Sequence, residues 1–268
     1  MKLEKNKFSA ALATNTTQYG FWLSLPDNSI AEMAAATGFD WLLIDHEHGP
    51  FELRDIATHL QAMAPYGVAP IVRPASDDPV LLKKMLDIGV QSLLIPMVDT
   101  AEQAAAIVSA VRYPPGGTRG LGTSMARAAK WNMVPGYVQV ANGELCLIVQ
   151  VETATAMENL EAILAVEGVD GVFIGPSDLS ASMGHIGDAG HPEVVAAISS
   201  GLESVCAAGK HAGLLCLDPD LVQTYVAGGA SFVGVGVDTL VLTQGMRAIK
   251  DRFKKSNGSA ATAPHAGY

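Results

Sequence analysis

The chain has 268 residues, 49% hydrophobic and 16% charged, with a formal net charge of −10, enough apolar material to bury a large core in one large domain or two small ones. The acidity and the lack of a basic patch or arm exclude ordinary nucleic-acid binding. No uncharged apolar stretch reaches the roughly 18 residues of a membrane span, and Met1-Lys2-Leu3-Glu4-Lys5 lacks the apolar core of a signal peptide. The expectation is a cytoplasmic protein whose three cysteines, Cys146, Cys206 and Cys216, stay reduced, because they form neither a CxxC pair nor an even-numbered framework.

In chain order, short runs rich in Val, Ile and Leu and bounded by Gly, Pro or Asp predict strands over Phe21–Leu25, Trp41–Ile44, Ala69–Arg73, Ser92–Val98, Leu145–Val151, Gly171–Ile174, Ala212–Leu217 and Phe232–Val237. Between them the patterns predict helices over Asp27–Thr37, Leu53–Ala64, Pro79–Ile88, Ala101–Val111, Met157–Ala165, Pro192–Ala208, Pro219–Ala227 and Thr239–Lys254, several opening on Asp, Thr or Pro. Thr37-Gly38, Ile88-Gly89 and Gly228-Gly229 read as helix stops. Strict alternation of eight strands with eight helices predicts an α/β protein, a closed parallel (β/α)8 barrel over residues 1–255. The competing topology is an open doubly wound sheet, which the lack of a GxGxxG motif after the first strand disfavours. The longest irregular stretch, Arg112–Gly143, is expected to shape the active site or a subunit contact. The small, polar tail 256–268 is expected to be disordered.

Polar residues gather where these apolar runs end. In a strand, alternate side chains share a face, so Gln150 and Glu152 project together and Val149 and Val151 project the other way. Asp178 follows the next strand, after a Gly-Pro stop. Two carboxylates at neighbouring strand ends can grip one hard divalent cation through oxygen. The second strand ends in Asp45-His46-Glu47-His48, and a histidine oriented by a carboxylate makes a general base near neutral pH. An HxH pair also suits zinc, although the other candidate ligands are carboxylates. Arg73 closes an apolar strand, where its fork needs an anion; a structural pair with Glu152 or Asp45 is compatible with that role. Ser177 and Asp178 begin a helix whose N–H groups suit a carboxylate. Trp22, on the first strand, reads as core or as pocket wall. No lysine falls inside a predicted strand, which disfavours Schiff-base chemistry.

Taken together, Gly20-Phe21-Trp22, Asp45-His46-Glu47-His48, Val72-Arg73, Arg112-Tyr113-Pro114-Pro115, Arg119-Gly120, Gln150-Val151-Glu152-Thr153 and Gly175-Pro176-Ser177-Asp178-Leu179-Ser180 resemble the HpcH/HpaI aldolase family, the class II pyruvate aldolases, over about residues 18–255. The nearest resemblance is to the 4-hydroxy-2-oxoheptane-1,7-dioate aldolases. It implies a (β/α)8 barrel whose last helix is exchanged between subunits of a homo-oligomer, a hexamer or trimer. It implies Glu152 and Asp178 as ligands of Mg²⁺, Mn²⁺ or Co²⁺, Arg73 on the pyruvate enolate oxygen, and His48, paired with Asp45, as acid and base toward the aldehyde. Gln150, Ser177 and Trp22 are implied beside the substrate. The implied reaction is retro-aldol cleavage of a 4-hydroxy-2-oxo acid to pyruvate and an aldehyde. The alternatives are a sugar-acid substrate, 2-dehydro-3-deoxyglucarate or 2-keto-3-deoxyrhamnonate, and a non-catalytic anion-binding barrel, against which the intact set of polar residues speaks. His46 departs from the family, which often has a non-ionisable residue there.

Overall fold

The structure, a computed structural model, describes residues 1–256. Eight parallel strands close on themselves in sequence order: β1 (Gln18–Leu23), β2 (Trp41–Asp45), β3 (Ala69–Arg73), β4 (Ser92–Ile95), β5 (Cys146–Val151), β6 (Gly171–Ile174), β7 (His211–Leu215) and β8 (Phe232–Val237). Pairing of Gln18 with Phe232 and of Gly20 with Gly234 closes the ring, so the sheet is a barrel and not an open doubly wound sheet. The helices are α1 (Lys7–Leu12), α2 (Asn28–Ala36), α3 (Leu53–Met63), α4 (Pro79–Ile88), α5 (Ala101–Val111), α6 (Tyr137–Val140), α7 (Ala154–Glu158), α8 (Leu160–Leu164), α9 (Pro176–Ser182), α10 (Pro192–Ala207), α11 (Pro219–Ala227) and α12 (Asp238–Ser256).

Side-chain alternation sorts the core into two shells. Leu42, Ile44, Val72, Val149, Val151, Val172 and Ile174 face outward and pack under the helices. Trp22, Trp41, Leu43, Ile71, Ile148, Phe173 and Phe232 fill the barrel interior. Two glycines make room for the largest rings: a Cβ on Gly20 would lie 2.0 Å from the Trp41 ring, and one on Gly213 2.2 Å from the Phe232 ring. At the C-terminal strand ends the inward positions turn polar, with Asp45 above Trp41 and Leu43, Arg73 above Ala69 and Ile71, and Gln150 above Cys146 and Ile148. The apolar floor thus sets the polar groups at one mouth of the barrel.

The expected helix signals are realised. Asp27, Asp78, Thr100 and Asp218 cap α2, α4, α5 and α11 with their side chains. Gly38 and Gly89 take the left-handed conformation, with φ of 90° and 107°. Three elements depart from expectation. The strand over Ser92–Val98 stops at Ile95, because Pro96 has no N–H to donate to the ladder. The helix over Met157–Ala165 is two short helices broken at Asn159, whose side chain donates to the Asp99 carbonyl at 2.8 Å.

The third departure concerns the first of the two roles expected of the long segment Arg112–Gly143, that of shaping the active site. The segment lies at the N-terminal end of the barrel and not at the polar mouth. Arg119 pairs with Asp87 at 2.9 Å, Arg127 donates to the Ile88 carbonyl at 2.9 Å, and Tyr113 and Tyr137 pack as an edge-to-face pair. Beneath it runs the N-terminal strap, ending in the unforeseen helix α1. Phe8 packs edge-on against Trp41 and Phe232, and Asn6 donates to Gln91, Ser92 and Glu144. At the other end of the chain, Ser256 closes α12, and the rest of the expected tail, 257–268, lies outside the described residues. None of the residues 240–254 is buried. Among the described residues no helix is long and apolar enough to cross a membrane.

Candidate active site

Asp45 ends β2 and is 2% exposed. One of its oxygens, Oδ1, accepts the N–H groups of Glu47 at 3.1 Å and His48 at 3.2 Å, together with Arg73 Nε at 3.0 Å. Its Oδ2 accepts Arg73 Nη2 at 2.6 Å and Trp22 Nε1 at 3.1 Å. Burial pushes the carboxyl up, but the Arg73 guanidinium and the donors from His48 and Trp22 outweigh it and hold the group below its ordinary value. Trp22 is therefore both barrel filling and site wall. Its indole orients Asp45, and the Arg73 guanidinium lies 5.2 Å from its ring centroid. The side-chain pairing expected between His48 and Asp45 is not made. Asp45 is fully engaged elsewhere and holds His48 through its backbone, while the imidazole stands at the rim with its side chain 68% exposed and Nε2 3.8 Å from Glu47 Oε2.

Arg73, at the end of β3, is 7% exposed. Its Nη1 lies 3.1 Å from Glu47 Oε2, an ion pair without hydrogen-bond alignment, so that oxygen is buried with no donor. Burial raises the Glu47 carboxyl despite Arg73, with the Asp45 and Asp178 charges adding to the rise. His46 Nδ1 accepts the Ala75 N–H at 3.2 Å, which assigns the Nε2–H tautomer to the neutral ring. This occupation counts against an HxH zinc pair. Among the described residues, the one trio of His, Cys, Asp or Glu ligand atoms lying within 4.8 Å of one another is His185, His191 and Glu193, elsewhere on the surface.

Gln150 is the last inward-facing residue of β5, and Glu152 follows Val151, which ends the strand. Both are 2% exposed, and the Gln150 amide nitrogen donates to Glu152 Oε2. The other Glu152 oxygen accepts the Met97 N–H at 2.8 Å. Burial, with the Asp178 and Glu47 charges, pushes the Glu152 carboxyl up to about 7 against these two donors. Met97 is a contributor that sequence reasoning missed. Its φ of 56° is left-handed, a strained setting for a non-glycine residue, and it follows the strand-ending Pro96, the one visible signal. Gln103 fixes it by donating to the Met97 carbonyl at 3.0 Å. Ser177 and Asp178 open α9 and are exposed.

The donor set is entirely oxygen: Glu152, Asp178 and Glu47, with Gln150 Oε1 buried and unpartnered. A Cβ at Gly175 would lie 2.6 Å from Glu152 Oε2, so this glycine keeps the space beside the carboxylate open. Mutually repelling carboxylates around buried oxygens without donors fit a hard divalent cation.

The sequence profile of the HpcH/HpaI aldolase/citrate lyase family matches residues 18–244. The chain is 52% identical over 265 residues to the hydroxypyruvate/pyruvate aldolase of Cupriavidus necator, covering 98% of each chain. It is 53% identical over 261 residues to the 2-keto-3-deoxy-L-rhamnonate aldolase of Salmonella paratyphi B, covering 97% of each. A crystal structure of an HpcH/HpaI aldolase/citrate lyase family protein from Burkholderia cenocepacia superposes with a TM-score of 0.88 at 37% identity, covering 93% of this chain and all of that one. The chain belongs to the HpcH/HpaI aldolase/citrate lyase family and is a carbon–carbon lyase of the aldolase type.

Proposed function

We propose that the chain catalyses retro-aldol cleavage of a 4-hydroxy-2-oxo acid, of the 4-hydroxy-2-oxoheptane-1,7-dioate type, to pyruvate and an aldehyde, together with the reverse addition. The observation that carries this reading is Glu152, buried, raised to about 7 and repelled by two further carboxylates. Glu152 and Asp178 would hold the divalent cation, Mg²⁺, Mn²⁺ or Co²⁺, which when bound supplies Lewis-acid polarisation of the 2-oxo group. The 4-hydroxyl proton passes to His48, positioned by its N–H to Asp45. The C3–C4 bonding pair moves to C3 as the aldehyde leaves, and a proton added at C3 completes pyruvate. Arg73, clamped by Asp45 and Glu47 over Trp22, faces the developing enolate oxygen with a preorganised positive charge. Gln150 and the backbone at Ser177 hold the acid end of the substrate, and Trp22 forms the wall.

A second reading, a sugar-acid substrate such as 2-keto-3-deoxyrhamnonate or 2-dehydro-3-deoxyglucarate, is favoured by the name of the Salmonella relative. Both readings include an assembly of like chains, a trimer or hexamer, with α12 seated on a neighbouring copy. Its exposed Val241, Met246 and Ile249 support that seating.

The test couples pyruvate release to lactate dehydrogenase on chelator-stripped protein, with heptanedioate and deoxyrhamnonate substrates side by side. Restoration by added metal is expected, as is a loss of roughly 100-fold or more in kcat/KM for Glu152→Gln, or about 3 kcal/mol. Activity indifferent to chelation, or Glu152→Gln as active as the parent, would overturn the ligand assignment.

A further inference from the structure

The N-terminal end of the barrel, remote from the catalytic mouth, carries a cavity of about 160 Å³ between the N-terminal strap and the segment 119–145. It is lined by Lys2, Lys5, Lys7, Arg119, Arg127 and Lys130, against the acids Glu4 and Glu144. Six cations and two acids give the lining a formal charge of +4 on a chain whose net charge is −10. That sum already counts both acids. Glu144 is committed to the Asn6 N–H at 2.7 Å, and among the described residues Lys2, Lys5, Arg127 and Lys130 make no ion pair.

Both arginines are held in place. Arg119 is 6% exposed, pairs with Asp87 and stacks 4.3 Å from the Tyr113 ring centroid, yet its Nε is buried without a partner. Arg127 is held by the Ile88 carbonyl, and burial lowers its affinity for its proton, with Glu4 pulling the other way. Cations in excess over their counter-charges repel one another and focus a positive potential into the cavity. A compact anion carrying two charges relieves this better than a monocarboxylate, and tetrahedral oxygens suit guanidinium donors.

We propose that this cavity is a binding site for a phosphate dianion, free or as a small ester, distinct from the aldolase site. Arg127 and Lys130 contribute its charge from the long segment, and Lys2 and Lys5 from the strap.

The site is tested by calorimetric titration of the full chain with inorganic phosphate and with methyl phosphate at constant ionic strength, chloride being the balancing anion. Saturable binding at one site per chain is expected, and the relative affinities of the two probes separate free ion from ester. Arg127→Gln should weaken it roughly 10- to 100-fold, the loss of one charge-assisted contact. Lys130→Asn, which removes the charge while tolerating the left-handed backbone at that position (φ 47°), should weaken it in the same direction and guards against misfolding of the arginine variant. Arg73→Lys should leave it unchanged. Wild-type affinity in both cavity variants, loss of binding in Arg73→Lys, no saturable heat at any millimolar concentration, or succinate binding tighter than phosphate would each overturn the proposal.

Discussion

Asp45 shows how one side chain sets the geometry of several others. Five donors from Trp22, Arg73, Glu47 and His48 converge on its two oxygens, so a change there moves the whole mouth. Its folded pKa lies below the ordinary value. It therefore stabilises the fold above the ordinary carboxylate range, and that contribution is lost as pH falls through the depressed value. Asp45→Asn is expected to cost about 3 kcal/mol at neutral pH, the penalty of unpairing a buried ion. The Tm difference from the parent should shrink as the pH drops below about 4, and a difference constant across that range would refute the ion-pair account. The polar residues themselves were legible in the sequence, because Gln150 and Glu152 share a strand face and Asp45 and Arg73 end apolar runs. The Trp22–Asp45 bond and the Met97 donor were not, because the first joins two strands and the second the loops that follow two strands, and no local pattern reveals their register.

At the scale of elements, the barrel interior is governed by pairs of large and absent side chains. Gly20 faces Trp41 and Gly213 faces Phe232 across neighbouring strands. Gly20→Ala sets a methyl against the fused ring of a fully buried indole that also donates to the Gln18 carbonyl at 3.2 Å, so no flexible chain end can yield. The expected loss is about 3 kcal/mol, the upper part of the overpacking range, read as a lower urea midpoint with an unchanged slope. A midpoint equal to the parent's would mean that the interior repacks freely. The strands and most helices were readable from apolar runs and caps. Helix α1 was not, since six residues carry too little periodicity to register. The placement of Arg112–Gly143 was a question of direction: a segment that leaves a helix and enters a strand opens at the N-terminal end of a parallel barrel, whereas the catalytic groups stand at strand C-termini.

For the molecule as a whole, α12 is the element that the barrel does not explain. Asp238 anchors its start by accepting the N–H groups of Ser24 at 2.9 Å and Leu25 at 3.0 Å, but the helix then leaves Val241, Met246 and Ile249 to solvent, each more than half exposed. Replacing Met246 and Ile249 together with glutamate is expected to lower the assembly mass measured by light scattering while the far-ultraviolet dichroism of the barrel persists. An unchanged mass would remove α12 from the interface. The strap at the opposite end has a consequence in time. Phe8 seats on Phe232, and Asn6 ties to Glu144, so the docking surface of the strap is complete only once the last of the eight strands has been made. Closing the barrel therefore finishes two joints at once, β8 against β1 and Phe232 against Phe8.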